Sequence, residues 1–157
     1  MSSDISISKR VHLIEYDSVD STNRVATDLG YEGIKVWTVV HALEQTAGRG
    51  RHRNEWFSPR GNLFISAILR PTVKFERWPE LSFVISLAVA DTVDFLIHNS
   101  SATLKWPNDV LVNGKKIAGI LLESAQNKKK ENYLVVGVGI NVASGPAGAR
   151  YGATWID

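Results

Sequence analysis

Between Gly48 and Trp56 the chain reads GRGRHRNEW, so Arg49, Arg51, His52 and Arg53 crowd beside two glycines and end on an indole. Burying that many cations without partners costs several kcal/mol apiece, which predicts a surface loop. Glycines let backbone N–H groups approach closely, and arginine forks match phosphate or carboxylate, so the loop suits an anionic ligand. Taken alone it fits a solvated or RNA-touching basic loop equally well. It is not a Walker A loop, because Gly114-Lys115 is followed by Lys116 and has no glycine five residues earlier. Nor is it a dinucleotide fingerprint, since no third glycine follows Gly48 and Gly50 at the required spacing.

Three further segments carry residues of chemical interest. KWPND, Lys105 to Asp109, reads either as a proline-containing turn or as an amide and a carboxylate held beside a ligand. In KKIAGILLE, Lys115 to Glu123, alternation lets one lysine point inward while the other meets water, and Ala118 and Gly119 leave room beside it. GVGIN, Gly137 to Asn141, is a strand thinned by two glycines, where a backbone or a ligand can approach. Trp56 and Trp106 could form walls or belong to the core.

The elements that must hold these segments follow from pattern. Val11 to Tyr16 reads as a strand, and Asp20 or Ser21 caps a helix through Leu29 that Gly30 terminates. Val36 to Leu43 is a β-branched buried strand that anchors the basic loop, and Asn62 to Arg70 is the next strand. Pro79 opens a helix in which Leu81, Val84, Ile85, Ala88, Thr92, Val93 and Leu96 keep helical spacing. Strands follow at Ala102 to Trp106, Val110 to Val112, Ile117 to Glu123 and Tyr133 to Val142, with Asn113-Gly114 as a type I′ hairpin turn. Runs of strands with helices between them predict an α+β fold with a mixed, largely antiparallel β-sheet covered by helices.

The 157 residues make one domain, and the apolar (44%) and charged (22%) shares are those of an ordinary globular chain. A net charge of +2 is too small for a dedicated nucleic-acid binder, so no nucleic-acid partner is expected. No run is long and uncharged enough for a bilayer, so no membrane partner is expected either. Without cysteine there is no disulfide, thiolate metal site or cysteine nucleophile, which fits a reducing, cytoplasmic setting. His12, His41, His52 and His98 show no metal-ligand spacing, and Lys128-Lys129-Lys130 reads as a solvated loop.

Taken in order, Ser21-Thr22-Asn23, Gln45, GRGR (Gly48 to Arg51), KWPND, KIAGIL (Lys116 to Leu121) and GVGIN resemble the catalytic domain of biotin–protein ligases, also called biotin–[acetyl-CoA carboxylase] ligases or holocarboxylase synthetases. The resemblance runs from Asp20 to Asn141. Where many bacterial members carry Arg-Gly-Arg before the tryptophan, this chain has Arg53, Asn54 and Glu55. It implies the fold shared by class II aminoacyl-tRNA synthetases and biotin synthetases. Residues 1–157 would be the catalytic domain alone, without an N-terminal DNA-binding domain or a C-terminal β-barrel and truncated at its C-terminal end, hence either a fragment or a minimal form.

The implied reaction is ATP-dependent: biotin gives biotinyl-5′-AMP, and a lysine of a biotin carboxyl carrier protein then takes the biotinyl group. Arg51 and Lys116 are the implied cations on carboxylate and α-phosphate, with Asp109 either orienting Lys116 or contacting Mg²⁺. Ser21, Thr22, Asn23, Gln45, Gly48, Arg49, Arg51, Lys116, Gly119, Gly137 and Gly139 are implied at biotin. Arg51, Trp56, Asn108, Lys116 and Asn141 are implied at the nucleotide. A sheet-edge homodimer and a basic loop that closes over ligand complete the expectation. A lipoate- or octanoate-handling relative, an inactive biotin-binding fragment and a nucleic-acid module are the rivals.

Overall fold

The computed structural model describes residues 11–97, 101–148 and 152–156. Its elements are β1 (His12–Val19), α1 (Thr22–Glu32), β2 (Thr38–Gln45), β3 (Leu63–Leu69), α2 (Leu81–Leu96), β4 (Ala102–Lys105), β5 (Asp109–Val112), β6 (Lys115–Gln126) and β7 (Asn132–Ile140). The strands form one seven-stranded sheet in the order β1-β2-β3-β7-β6-β5-β4. Only the β1–β2 pair is parallel, as the α1 crossover between them requires. The expected mixed, largely antiparallel sheet is therefore the one observed.

Strand β7 shows how the two faces divide. Leu134, Val136, Val138 and Ile140 pack with Val89, Ala90 and Val93 of α2 on one face. Tyr133 and Val135 pack with Ala26 of α1 on the other. Alternation then places Gly137 and Gly139 on the α1 face. Where a core strand would present side chains, this one leaves room that Asn23 of α1 and Trp56 fill.

Two helix readings need correction. Gly30 does not terminate α1: the helix runs on to Glu32 and ends at Gly33, whose left-handed φ of 86° suits glycine. There the Gly33 and Ile34 N–H groups donate to the carbonyls of Gly30 and Leu29. Gly30 is a packing residue, because a Cβ there would come within 2.4 Å of the buried Tyr133 ring. In α2 the buried stripe is Ser86, Val89, Ala90 and Val93, while Val84 (58% exposed) and Leu96 (45%) face outward. A helix with apolar residues on its outer face as well gives periodicity little to choose between. Pro79 lies in a 3₁₀ segment, Phe75–Glu80, that feeds into α2. The Asn113-Gly114 turn is as expected, with positive φ at both residues. His98 lies outside the described residues, and among those described no helix is long and apolar enough to cross a membrane.

Gly30→Val gains at most about 0.5 kcal/mol in helix propensity but drives two methyl groups into Tyr133. The expected outcome is a net loss of about 2 kcal/mol in unfolding free energy, read from urea melts.

Candidate active site

A cavity of about 400 Å³ opens on the α1 face, within the range of small-molecule pockets. Its lining joins the start of α1, the basic loop, the β4–β5 turn, β6 and the glycines of β7. The four segments that stand far apart in sequence meet here.

At one end lies a hydrogen-bonded polar cluster. Gln45 Oε1 accepts from the Thr22 backbone N–H at 2.8 Å and from the Thr22 hydroxyl at 3.1 Å. Gln45 Nε2 donates to Ser58 Oγ at 2.9 Å, and that hydroxyl donates to the Trp56 carbonyl at 2.8 Å. Ser66 Oγ lies 2.8 Å from Thr22 Oγ1 and 2.6 Å from Asn23 Oδ1. Asn23 Nδ2 donates to Glu123 Oε2 at 2.7 Å. Ser21 is the N-cap residue of α1, yet its buried hydroxyl makes no capping bond and lines the cavity instead.

The floor is backbone. Gly119 of β6 and Gly139 of β7 are direct cross-strand partners, and Trp56 lies on both. A Cβ at Gly139 would sit 2.4 Å from the indole nitrogen, and one at Gly137 would sit 2.1 Å from Asn23 Oδ1. Larger residues at these positions would evict the groups above them.

At the opposite end, Lys116 Nζ pairs with Asp109 at 2.6 Å and stands 5.0 Å from the centre of the Trp56 ring, in cation–π reach. The lysine reaches this face through a bulge. Leu111 pairs with Lys116 and Val110 with Ala118, leaving Ile117 as an extra residue. Ile117 and Ala118 can then both be buried in the core while Lys116 and Gly119 share the site. Arg51 Nη1 stands 3.4 Å from Asn108 Oδ1, a long contact that leaves its charge facing the cavity mouth. Asn108 itself is fixed on β6, donating to the Ile120 carbonyl at 2.8 Å and accepting from the Ile120 N–H at 2.9 Å.

The basic loop is folded onto the sheet by its own backbone. Arg49 and Glu55 form a bridge, and the Gly50 and Trp56 N–H groups donate to the carbonyls of Asn54 and Gly48. Gly48 packs against Ser58 and the Trp56 carbonyl, outside the main cavity, and so serves the loop. Arg49 is ion-paired with Glu123. Trp106, 75% exposed, stands at the mouth. His52 lines the cavity, whereas His41 pairs with Glu15 on the far side of the sheet's β1–β2 edge at 3.3 Å. Among the described residues no three His, Cys, Asp or Glu side chains gather as metal ligands.

Thus Ser21, Thr22, Asn23, Gln45, Arg49, Arg51, Trp56, Asn108, Asp109, Lys116, Gly119, Gly137 and Gly139 all line one cavity. Asn141 does not. It is buried behind β6, donating to the Thr154 carbonyl at 3.1 Å, and belongs to the framework. Three participants escaped the sequence reading: Ser58, Ser66 and Glu123. A serine inside the apolar run of β3 was a signal for Ser66, and alternation from Gly119 would have put Glu123 on the site face.

Residues 15–141 match the model of the biotin/lipoate A/B protein ligase family, and the chain belongs to that family. Biotin–[acetyl-CoA-carboxylase] ligase of Paracoccus denitrificans is 43% identical over 132 residues, covering 83% of this chain and 55% of that protein. The bifunctional ligase/repressor BirA of Bacillus subtilis is 38% identical over 136 residues, covering 86% and 42%. Among solved structures, biotin protein ligase of Aquifex aeolicus in complex with biotin and ATP superposes with a TM-score of 0.75 at 35% identity, covering 92% of this chain and 59% of that one. The Leishmania major biotin protein ligase in complex with biotinyl-5-AMP gives 0.76 at 34%, covering 96% and 64%. The chain thus spans about half the length of the curated relatives it matches.

Ser66→Ala would strip Asn23 Oδ1 and Thr22 Oγ1 of a buried partner. A loss of about 1–2 kcal/mol in unfolding free energy is expected, measured by urea titration.

Proposed function

We propose that this domain activates biotin with ATP and transfers it to a specific lysine of a biotin carboxyl carrier domain. The observation that carries the reading is the order of chemistry along one cavity: hydrogen-bonding side chains at one end, a glycine floor, then Arg51, Lys116 and Asp109. Biotin has the matching order, with a ureido ring, an aliphatic tail and a carboxylate. An octanoyl chain has no ring, and the dithiolane ring of a lipoyl group has no N–H or carbonyl. Either would leave Ser21, Thr22 and Gln45 without a hydrogen-bonding partner, and that favours biotin over the other substrates of the family.

In the first step a biotin carboxylate oxygen attacks the α-phosphorus of ATP, the mixed anhydride forms, and pyrophosphate leaves. Both reactants are anionic, so the main barrier contribution this chain can lower is charge repulsion. Lys116 and Arg51 offer positive charge where carboxylate and phosphoryl oxygens converge, and Asp109 holds the Lys116 ammonium in place. In the second step the carrier lysine amine attacks the acyl carbon, an amide forms, and AMP leaves with loss of a proton from nitrogen. No side chain of this domain enters the covalent chemistry, which accords with a chain without cysteine. The indole of Trp56 over the floor would keep water from the anhydride.

Mg²⁺ bound with ATP would neutralise triphosphate charge. Only two carboxylates line the cavity among the described residues, Glu55 and, beside Lys116, Asp109, a sparse set that fits an ion arriving on the nucleotide without a protein cage. The edge strands β1 and β4 leave backbone groups to which a second copy could pair, so a homodimer belongs to the same reading.

Biotin-dependent pyrophosphate release from ATP tests the activity. Arg51→Ala and Lys116→Ala should each lower the rate by about 100- to 1000-fold. Release with lipoate or octanoate and none with biotin would reassign the substrate; tight biotin binding without release would leave a binding module. The loop should also respond. Biotin plus ATP should protect residues 46–58 from proteolysis, and equal cleavage with and without them would sink the closing loop.

A further inference from the structure

Glu123 sits on β6, four residues beyond Gly119 and on the same face, paired across the sheet with Val135. Its carboxylate has two partners from different elements. Oε2 accepts from Asn23 Nδ2 of α1 at 2.7 Å, and Oε1 is ion-paired with Arg49 of the basic loop. About a third of the side chain is exposed, so the pair is partly shielded from water.

An ionised carboxylate only accepts hydrogen bonds. It therefore dictates which way the Asn23 amide faces: the NH₂ must point at Glu123, and the carbonyl oxygen must point away. A flipped amide would set oxygen against oxygen. With this orientation Asn23 Oδ1 lies over Gly137 and takes the Ser66 hydroxyl at 2.6 Å, an acceptor presented at the cavity floor. The second oxygen meanwhile holds Arg49, the residue that bridges to Glu55 and closes the base of the loop.

Resting on the reading above, we infer that Glu123 is a positioning residue that couples the ring end of the biotin pocket to the lid. One carboxylate both fixes Asn23 as an acceptor for a ureido N–H and anchors the loop that carries Arg51. Order at the ring end and order in the loop then depend on the same group, so loss of its charge loosens both.

Glu123→Gln tests this with little change in volume. Glutamine supplies its own NH₂, so the Asn23 amide gains a second orientation and Arg49 loses its counter-charge. Three results are expected. Biotin affinity by calorimetry falls by up to about tenfold, the size of one hydrogen bond between neutral groups. The ATP KM rises by less than biotin affinity falls, because Arg51 rides on the loop while Lys116 and Asp109 are held without Glu123. Cleavage of residues 46–58 without ligand quickens about tenfold, and adding Arg49→Gln quickens it no further, because the two variants break one contact. Unchanged biotin affinity and loop cleavage would overturn the assignment. So would additive cleavage rates, or equal losses for biotin and ATP with a lowered melting temperature, which mark general destabilisation. The ligand-free cleavage arm separates the two ideas. If wild-type protein takes no biotin the proposed function fails, and cleavage still decides whether Glu123 anchors the loop.

Discussion

Strand β6 has to serve two masters, and the extra residue at Ile117 is what lets it. One face of the strand must fill the core beneath α2, and the other must supply a cation and a bare stretch of backbone to the cavity. Strict alternation would put Lys116 on the same face as Ala118 and Ile120, where an ammonium would need several kcal/mol of compensation. The bulge against Leu111 resets the alternation between Lys116 and Ala118. Lys116 then faces Asp109 and Trp56, and Gly119 lies beneath the same indole. Bulges commonly re-aim a side chain beside a site, and here the re-aimed group is the lysine on which the proposed chemistry rests.

The glycines depend on that arrangement in turn. Gly119 and Gly139 face each other across β6 and β7, so a bare patch of sheet lies beside the lysine. Such a patch costs core packing and strand rigidity, and it persists because Trp56 and Asn23 cover it. The loop is thereby tied to the sheet by packing as well as by charge. Arg49 of the loop answers Glu123 and Lys116 of β6 answers Asp109, while Arg51 is left at the mouth near a neutral amide.

How much of this was legible depended on whether a residue announces itself by type or by register. GRGR, KWPND, KIAGIL and GVGIN are conspicuous by composition, and all four do border one cavity. Asn23 and Gln45 were legible only as members of an ordered set. Glu123 lies in a strand of ordinary appearance, and its role arises from two partners, one 100 and one 74 residues away. Ser58 has the same character, acting through Gln45 and a neighbouring carbonyl. The bulge was hidden because a pattern of apolar residues does not say where one is extra. Gly30 was misread for a related reason: a glycine near a helix end looks like a stop, while contact with Tyr133, a hundred residues on, decides its use. In α2 the periodic reading fixed the helix but not its buried stripe, since Phe83, Val84, Leu87, Phe95 and Leu96 are apolar yet exposed.

The pairing of Lys116 with Asp109 also constrains how a ligand enters. An anion approaching Lys116 competes with Asp109, and the lysine's interaction with the new partner must exceed the loss of a 2.6 Å ion pair that is partly shielded from solvent. A lone carboxylate only exchanges one such pair for another, so its net gain at that end is small. A triphosphate brings several charges to the same point, and a single ammonium then meets more negative charge than Asp109 offers. The ring end has no such competition, because its neutral groups can bind a ureido ring without breaking an ion pair. Under the proposed function the ring would supply most of biotin's own binding energy, while the charged end would gain its strength only when carboxylate and phosphate are present together. That division would suit a site that brings two anions into contact, since Lys116 is held ready by Asp109 and would become fully engaged only when both are present.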